Sequence, residues 1–391
     1  MLTSFLDTDV YQFTMLALAK QHSGNWVEYS FKCRNDINLS NIADSVRYQL
    51  SEYIKLRFTN NEVKYLNKIC YDKLSFLYEY INNNVPFDEN GIIVSIINNN
   101  LNIKVKGEYW TTLLLDIPVL SIVNETFNEQ LYSRKELEDF EVKGDELLTS
   151  KIELLNNNPN IKLMEFGTRR RFSKEWHLHV LSRLISETDN ILGTSNVELG
   201  KIFNINVLGT MGHSILQFYQ GINHPLDSQI KCLYDWNRLW GNNFLIALSD
   251  IFPNNKFLKD FDEYLTKTYN GVRHDSGDPI KWGYEILNHY KKYGIDPKTK
   301  SMVFSNSLSI PDCIKLYEEF GNKINVSFGV GTNLTNDVGL NHTILNIVMK
   351  ITSVNGRPVS KISNDIGKSM CENKKYQEYL LNALEEDVKN V

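Results

Sequence analysis

The chain has 391 residues, of which 42% are hydrophobic and 23% are charged, and its formal net charge is −5. This composition is ordinary for a globular protein, and the length allows two domains or one barrel with an appended domain. The negative charge argues against a nucleic-acid or membrane partner, so local positive sites must hold any anionic substrate.

The location of the protein can be inferred from three features. The first residues lack the basic and apolar segments of a signal peptide, and no apolar run reaches the ~20 residues needed to span a bilayer. The five cysteines are scattered and form no metal-binding or redox pair. Since such cysteines suit a reducing compartment, we expect a cytoplasmic protein.

The first part of the chain, up to residue 130, has the pattern of an α+β domain. Helical stretches at 44–58 and 61–81 precede strand-like segments. Residues 103–107 alternate apolar residues or glycine with lysine, as a half-buried strand does. The apolar run 111–123 contains Pro118, which predicts two short pieces in place of one element.

After residue 130, short apolar runs alternate with helical stretches, which predicts parallel βα units. The runs are 161–166, 190–192, 205–208, 244–248, 269–273, 301–304 and 324–328. Their irregular spacing favours an irregular (β/α) barrel, with a doubly wound open sheet as the alternative. The tail, with Asn355-Gly356 between two apolar runs, predicts a hairpin with a type I′ turn. We therefore predict an α/β protein with an α+β domain at 1–130 and 343–391 and the barrel at 131–342.

Segment 271–279 carries the most specific chemistry. Arg273 and Asp275 are two residues apart at the end of an apolar run, and such side chains point to the same side of a strand. Arginine suits a phosphate, and aspartate suits a hydroxyl or a metal ion. Ser276 and Asp278 are candidate N-caps of the helix that follows.

Other polar residues follow the predicted strands. The arginine run 169–171 could bind phosphate beside the aromatic face of Phe166, or it could be a solvated basic turn. The small-residue turns 193–197 and 209–214 can present backbone N–H groups to an anion. His213, in the second turn, is either functional or an ordinary structural histidine.

The last predicted strand ends at Gly329 and Gly331, which would let the backbone approach a phosphate or would simply form a tight turn. Asp250 follows another run, where a helix N-cap is the plainer role. No P-loop, zinc, nucleophile-elbow or dinucleotide-binding motif is present. Together the residues suit a substrate with a phosphate at one end and another anionic group at the other.

These segments together resemble the bacterial-type nicotinate phosphoribosyltransferase family, whose members couple ATP hydrolysis to the synthesis of nicotinate mononucleotide. The matching segments run from end to end of the chain: 8–15, 165–173, 193–196, 209–213, 271–279, 304–306, 328–332 and Gly367-Lys368. The resemblance implies a homodimer of two-domain subunits with shared active sites, Mg²⁺ as cofactor, and nicotinate, phosphoribosyl pyrophosphate and ATP as substrates.

The resemblance also implies residue roles. The nicotinate ring would lie between Phe166 and the partner subunit's Tyr11, with Arg169 beside its carboxylate. Asp275 would hold the ribose hydroxyls, and Arg273 would lie near the base and the phosphates. The other implied substrate-binding residues are Thr194, Ser195, Gly329, Gly331 and Thr332, with the two glycines offering amides to the 5′-phosphate.

Two further positions concern the choice of substrate and the use of ATP. His213 matches the histidine that ATP phosphorylates. Related nicotinamide-using enzymes carry aspartate at the position of Ser195, so serine there favours the acid as substrate. The chain departs from the family pattern at Gly212 and Ser214, where relatives often have Ala and Glu, and at Asn306, where we expect Asp.

Several alternatives remain open at this point. Ser195 argues against a nicotinamide-using enzyme, and a quinolinate phosphoribosyltransferase would need more basic residues around the ring. A catalytically silent homologue could bind nucleotide as a sensor. A barrel aldolase or isomerase would need a lysine at a strand end, or a Glu/His pair in which only Glu165 could serve.

Overall fold

The structure is a computed structural model that describes residues 1–339, 341–362 and 371–389. Its α-helices are α1 (Val10–Gln21), α2 (Ala43–Tyr53), α3 (Asn60–Ile69), α4 (Tyr109–Thr112), α5 (Asp116–Leu131), α6 (Arg134–Asn156), α7 (Lys174–Glu187), α8 (Val197–Phe203), α9 (His213–Ile222), α10 (Ser228–Trp240), α11 (Asn254–Asp260), α12 (Glu263–Thr268), α13 (Pro279–Lys292), α14 (Ile310–Phe320), α15 (Thr332–Thr335) and α16 (Lys374–Lys389). Its strands are β1 (Trp26–Cys33), β2 (Ile92–Ile97), β3 (Asn100–Glu108), β4 (Leu163–Glu165), β5 (Ile191–Thr194), β6 (Ile246–Leu248), β7 (Gly271–His274), β8 (Ser301–Phe304), β9 (Asn325–Val330), β10 (Ile347–Val354) and β11 (Arg357–Pro358).

The chain forms two compact units, each assembled from separate segments. The first unit contains Met1–Ala17, Tyr29–Gly209 and the described part of Val330–Lys350. The second contains Leu18–Glu28, Thr210–Gly329 and the described residues from Ile351 onward. These units divide the chain at other places than the domains predicted at 1–130 with 343–391 and at 131–342, which stay a prediction.

In the second unit, β6, β7, β8 and β9 form parallel pairs in chain order. Helix α13 connects β7 to β8 and α14 connects β8 to β9, so the predicted alternation of strands and helices is confirmed here. Val272, Met302 and Phe328 are fully buried, as expected of parallel strands covered on both faces. The protein is therefore a mixed α/β protein with parallel strands, and the barrel stays a prediction.

The first unit contains a second parallel pair, β4 with β5, and an antiparallel hairpin, β2 with β3. The strand predicted at 103–107 is confirmed as part of β3, where Ile103 and Val105 are buried. The prediction of a strand at 205–208 was wrong, because this segment forms only an isolated bridge between Val207 and Thr194. The two backbone hydrogen bonds between this segment and β5 run from Thr194 N to Asn206 O and from Leu208 N to Thr194 O.

The prediction of two pieces around Pro118 was also wrong. Helix α5 begins at Asp116 and runs unbroken to Leu131, with Pro118 as its third residue. Backbone N–H groups in the first turn of a helix have no partner within the helix, so proline there removes no hydrogen bond. Proline thus marks the beginning of this helix and does not interrupt it.

Two local predictions for the later part of the chain are confirmed: the helix cap at Asp278 and the hairpin turn at 355–356. Asp278 caps α13 by accepting from the N–H groups of Ile280 and Lys281. β10 and β11 pair with Val354 opposite Arg357. The two turn residues, Asn355 and Gly356, both have positive φ, as a type I′ turn requires.

Candidate active site

Polar side chains of the second unit lie at the carboxyl ends of three adjacent parallel strands. Asp275 and Ser305 directly follow β7 and β8, and Asp250 lies two residues beyond the end of β6. His213 is the first residue of α9. The carboxyl ends of parallel strands meet at one edge of a sheet, and this edge is where α/β proteins bind ligands.

His213 lies between a carboxylate and an ammonium group. Its Nε2 is 2.8 Å from Asp250 Oδ1 and 2.8 Å from Lys361 Nζ. Lys361 also forms an ion pair with Asp250, and all three residues are at most 8% exposed. One ring nitrogen cannot donate to Asp250 and accept from Lys361 at the same time. The two neighbours therefore determine together whether Nε2 carries a proton.

Asp250 is held as a carboxylate. Burial would raise its pKa, but Lys361 and His213 hold the pKa well below its ordinary value. The N-cap role predicted for Asp250 was wrong, because α11 begins four residues later with Pro253 at its N-cap. Ser276, also predicted as an N-cap, instead donates its hydroxyl to Asp250 Oδ2 at 2.8 Å. Asp250 is thus the common acceptor of this cluster.

Arg273 and Asp275 lie on the same side of the strand end, as their spacing predicted. Arg273 Nη2 is 3.6 Å from Asp275 Oδ2, and that oxygen is 3.9 Å from His213 Nε2. Ser305 Oγ donates to Asp275 Oδ1 at 2.9 Å. Burial would raise the pKa of Asp275, but Arg273 leads the interactions that lower it overall. The structure therefore brings together the three residues predicted to be catalytic, while their roles stay a prediction.

The residues predicted to bind substrate lie in the first unit, except Gly329, which is buried in β9 of the second. Those of the first unit are Tyr11, Phe166, Arg169, Thr194, Ser195, Gly331 and Thr332. Tyr11 lies in helix α1, and Phe166 and Arg169 follow β4. Thr194 ends β5 and Ser195 follows it, while Gly331 and Thr332 lie at the beginning of the short helix α15.

Ser195 is hydrogen-bonded to the buried carboxylate of Asp9, a contact that was not predicted from the sequence. Its Oγ donates to Asp9 Oδ1 at 2.7 Å, and Val10 N donates to Ser195 O at 2.8 Å. Burial raises the pKa of Asp9, while Ser195 and Thr168 oppose that rise through hydrogen bonds. A carboxylate therefore lies beside position 195 even though the residue there is serine. This corrects the premise that serine at position 195 keeps negative charge away from nicotinate.

The arginine run 169–171 divides between surface and core. Arg169 is exposed, and Arg34 lies within electrostatic range of it; burial first, and then Arg169, lower the pKa of Arg34. Arg171 is instead fully buried, with Nη1 at 2.6 Å from Asp7 and Nε at 2.7 Å from Glu125. Only the exposed part of the run can bind an anionic ligand, because Arg171 already has two carboxylates.

Two of the predicted substrate-binding residues have structural partners. Thr194 Oγ1 donates to Glu165 Oε2 at 2.6 Å, and both residues are fully buried. Glu165 also lies 2.8 Å from His177, which makes it an anchor of the β4–β5 pair. At Gly331 a Cβ would lie 2.8 Å from Phe166 O, so glycine is needed there for close backbone packing.

Comparison with known proteins decides the family. The profile of the nicotinate phosphoribosyltransferase family matches residues 161–387, and that of its N-terminal domain matches residues 6–124. A nicotinate phosphoribosyltransferase of Burkholderia mallei is 40% identical, covering 97% of this chain and 96% of the relative. One of Bordetella petrii is 39% identical, with 97% of each chain covered. The chain belongs to the nicotinate phosphoribosyltransferase family.

Solved structures of the family agree with this assignment. The enzyme of Porphyromonas gingivalis matches with a TM-score of 0.90 and 28% identity, covering 98% of this chain and 100% of that one. That of Vibrio cholerae matches with a TM-score of 0.88 and 32% identity, covering 99% and 96%. The protein is therefore an enzyme with the mixed α/β fold of this family. Among its described helices, none has the length and apolar character needed to cross a membrane.

Members of this family are expected to use Mg²⁺, and three side chains of the cluster carry atoms that can bind a metal ion. One ligand atom from each of His213, Asp250 and Asp275 lies within 4.8 Å of the others. The ammonium of Lys361 already contacts the first two, and Mg²⁺ prefers oxygen ligands and substrate phosphates. Asp275, whose side chain is 24% exposed, is therefore the carboxylate that fits Mg²⁺ arriving with a phosphorylated substrate.

Lys361, like Asp9, was not predicted from the sequence. A functional lysine was expected only at a strand end, whereas Lys361 follows the β10–β11 hairpin and lies 148 positions from His213. In the sequence Lys361 lies between Ser360 and Ile362, and no apolar run around it marks it as buried; only its anionic partner shows why a lysine is buried there. The matching segment Gly367-Lys368 lies outside the described residues.

Proposed function

We propose that this enzyme makes nicotinate mononucleotide and pyrophosphate from nicotinate and phosphoribosyl pyrophosphate, coupled to ATP hydrolysis through a phosphohistidine at His213. The product would enter NAD salvage. Family membership supports the transfer reaction. The observation that carries the coupling is the contact of His213 Nε2 with both Asp250 and Lys361, with Asp275 3.9 Å away.

The transfer step needs stabilisation of charge more than proton transfer. Breaking the bond from C1′ to pyrophosphate leaves positive charge on the ribose ring and negative charge on the leaving group. Asp275 suits the ribose side through the hydroxyls, and Arg273 suits a phosphate. The pyridine nitrogen of nicotinate attacks with its own lone pair and has no proton to lose, so no general base is required.

Mg²⁺ would be held by Asp275 together with the phosphates of the substrate, and it would neutralise charge on the departing pyrophosphate. Arg273, 3.6 Å from Asp275, would stabilise the same anion from the protein side. Ser305, which donates to Asp275, fixes the direction of the carboxylate.

In the coupling step, a lone pair of the His213 imidazole attacks the γ-phosphorus of ATP, and ADP leaves with the electron pair of the broken bond. Water later attacks the phosphohistidine to release phosphate. Lys361 offsets the charge that the phosphoryl group adds beside Asp250 and Asp275. We propose that this added charge reshapes the pyrophosphate site in favour of product formation.

The base would be recognised by the residues of the first unit. Phe166 offers an aromatic face, and the exposed Arg169 offers a guanidinium for the nicotinate carboxylate. Thr194, Ser195, Gly331 and Thr332 would line the site, with Gly329 and Gly331 facing the 5′-phosphate. Asp9, next to Ser195, would repel the nicotinate carboxylate wherever Arg169 does not pair with it.

A direct assay tests the proposed function. Purified protein with phosphoribosyl pyrophosphate and Mg²⁺ should form the mononucleotide from nicotinate, faster with ATP than without it. Nicotinamide, offered separately, should give no product, because it lacks the carboxylate that Arg169 would bind. Turnover of nicotinamide would contradict the assignment of the base, and inactivity with both bases would favour the nucleotide-sensor alternative.

We also propose a cytoplasmic homodimer with irregular (β/α) barrels, in which the partner subunit's Tyr11 covers the nicotinate ring. Mixing Tyr11→Ala chains with Asp275→Ala chains should then restore activity, because some dimers carry one site with both residues intact. Random mixing at equal amounts should recover about a quarter of wild-type sites. Tyr11→Ala chains mixed with themselves are the control, and no recovery in the mixture would argue against a shared site.

A further inference from the structure

The backbone beside Lys361 is held by a glutamine of the helix that begins at His213. Gln220 Nε2 donates to Ser360 O at 3.1 Å, and Ser360 N donates to Gln220 Oε1 at 2.6 Å. Both residues are buried. We propose that Gln220 is a positioning residue that keeps Lys361 against His213 and Asp250, an inference that rests on the proposed function of that site.

The spacing along α9 explains how one helix serves both purposes. Gln220 is seven residues after His213, which is two helical turns, so both side chains lie on one face of α9. The amide group of Gln220 bonds both backbone polar groups of Ser360, as a neighbouring strand would. Ser360, the residue before Lys361, is therefore fixed to α9, and α9 also carries His213, the partner of Lys361.

A second anchor fixes the same backbone to the segment of Asp250. Ile362 N donates to Ile251 O at 3.0 Å, one residue beyond each member of the ion pair. A free lysine side chain has several rotatable bonds and prefers water, so its burial beside Asp250 depends on where its backbone is held. With Gln220 on one side and Ile251 on the other, the ammonium is placed between its two partners.

The orientation of the Gln220 amide is itself fixed by the C-terminal helix. Tyr376, near the beginning of α16, donates its hydroxyl to Gln220 Oε1 at 3.0 Å. Reversing the amide would place an NH₂ group against the donors Tyr376 Oη and Ser360 N, and an oxygen against Ser360 O. Tyr376 therefore supports the same orientation from outside the cluster.

The test compares Gln220→Leu with Gln217→Leu, a matched variant on the same helix. Gln217 is equally buried but donates to Ile351 O at 3.1 Å, away from Lys361. Gln220→Leu should lower the ATP-stimulated rate about tenfold and leave the rate without ATP within about twofold, because only Lys361 is displaced. Gln217→Leu should leave both rates near the wild-type values.

A spectroscopic measurement separates this proposal from the proposed function. The ¹⁵N chemical shifts of the His213 imidazole report which nitrogen is protonated, with or without catalysis. They should shift in Gln220→Leu in the same direction as in Lys361→Met, and stay unchanged in Gln217→Leu. If wild-type protein shows no ATP stimulation, the proposed coupling fails, and the imidazole shifts still decide whether Gln220 places Lys361.

Three outcomes would overturn the proposal: normal imidazole shifts in Gln220→Leu, equal losses in both glutamine variants, or wild-type coupling in Gln220→Leu. If Gln220→Leu does not fold, Tyr376→Phe replaces it, because that residue is only half-buried and loses a single hydroxyl. Tyr376→Phe should shift the imidazole signals in the same direction by a smaller amount. Unchanged signals in that variant would then reject the proposal.

Discussion

Replacing His213 with alanine is expected to abolish the stimulation of mononucleotide synthesis by ATP, while slow synthesis without ATP continues. The ratio of rates with and without ATP should fall to about 1, because the imidazole that receives the phosphoryl group is gone and the groups that act on the ribose remain. Initial rates at saturating nicotinate measure this ratio. Label from γ-³²P-ATP should no longer become attached to the protein.

The matched control for this variant is His289→Ala. His289 is also buried in the second unit, but its Nε2 contacts Phe261 O and Thr266 Oγ1 and none of the cluster residues. Its replacement should leave the ATP ratio unchanged. Complete loss of synthesis in His213→Ala, in protein that remains folded, would contradict a role confined to coupling.

Replacing Asp275 with alanine is expected to impair the transfer itself, with or without ATP. Its carboxylate lies next to Arg273 and within 3.9 Å of His213, where charge on the ribose would develop. Loss of one such electrostatic partner in a buried site typically lowers kcat/KM by about 10³-fold, or ~4 kcal/mol of transition-state stabilisation. Steady-state rates with varied phosphoribosyl pyrophosphate measure the loss.

Asp260→Ala controls for the removal of a buried carboxylate. Asp260 is paired with Lys256 and accepts from Gln229 in the same unit, so its loss leaves the buried ammonium of Lys256 with Asp387 as its remaining carboxylate partner. Asp260→Ala should lower the melting temperature, but it should lower kcat/KM much less than Asp275→Ala does. Near-normal transfer in Asp275→Ala would remove Asp275 from the site.

Features set by neighbouring residues could be predicted from the sequence. The i, i+2 spacing of Arg273 and Asp275 placed both side chains at one strand end, and Asp278 before proline predicted a helix cap. Asn355-Gly356 specified its own turn because both residues tolerate positive φ. In each case the physical cause lies within a few residues of its effect.

Features that depend on distant partners could not be predicted. Lys361 acquires its role from His213 and Asp250, which precede it by more than a hundred positions. Arg171 has the same side chain as the exposed Arg169, but it enters the core because Asp7 and Glu125 are present there. No pattern in the neighbouring sequence distinguishes the two arginines.

The division of the chain into two units has a consequence for dissecting the enzyme. The chain passes from one unit to the other within α1, β1, β9 and β10 and once more in the loop between Gly209 and Thr210, so most of the crossings fall inside regular elements. A stop codon at any position before α15 would remove helices from both units. Gene fragments encoding half of the chain should therefore be insoluble when expressed, and tags and fusions belong at the chain ends.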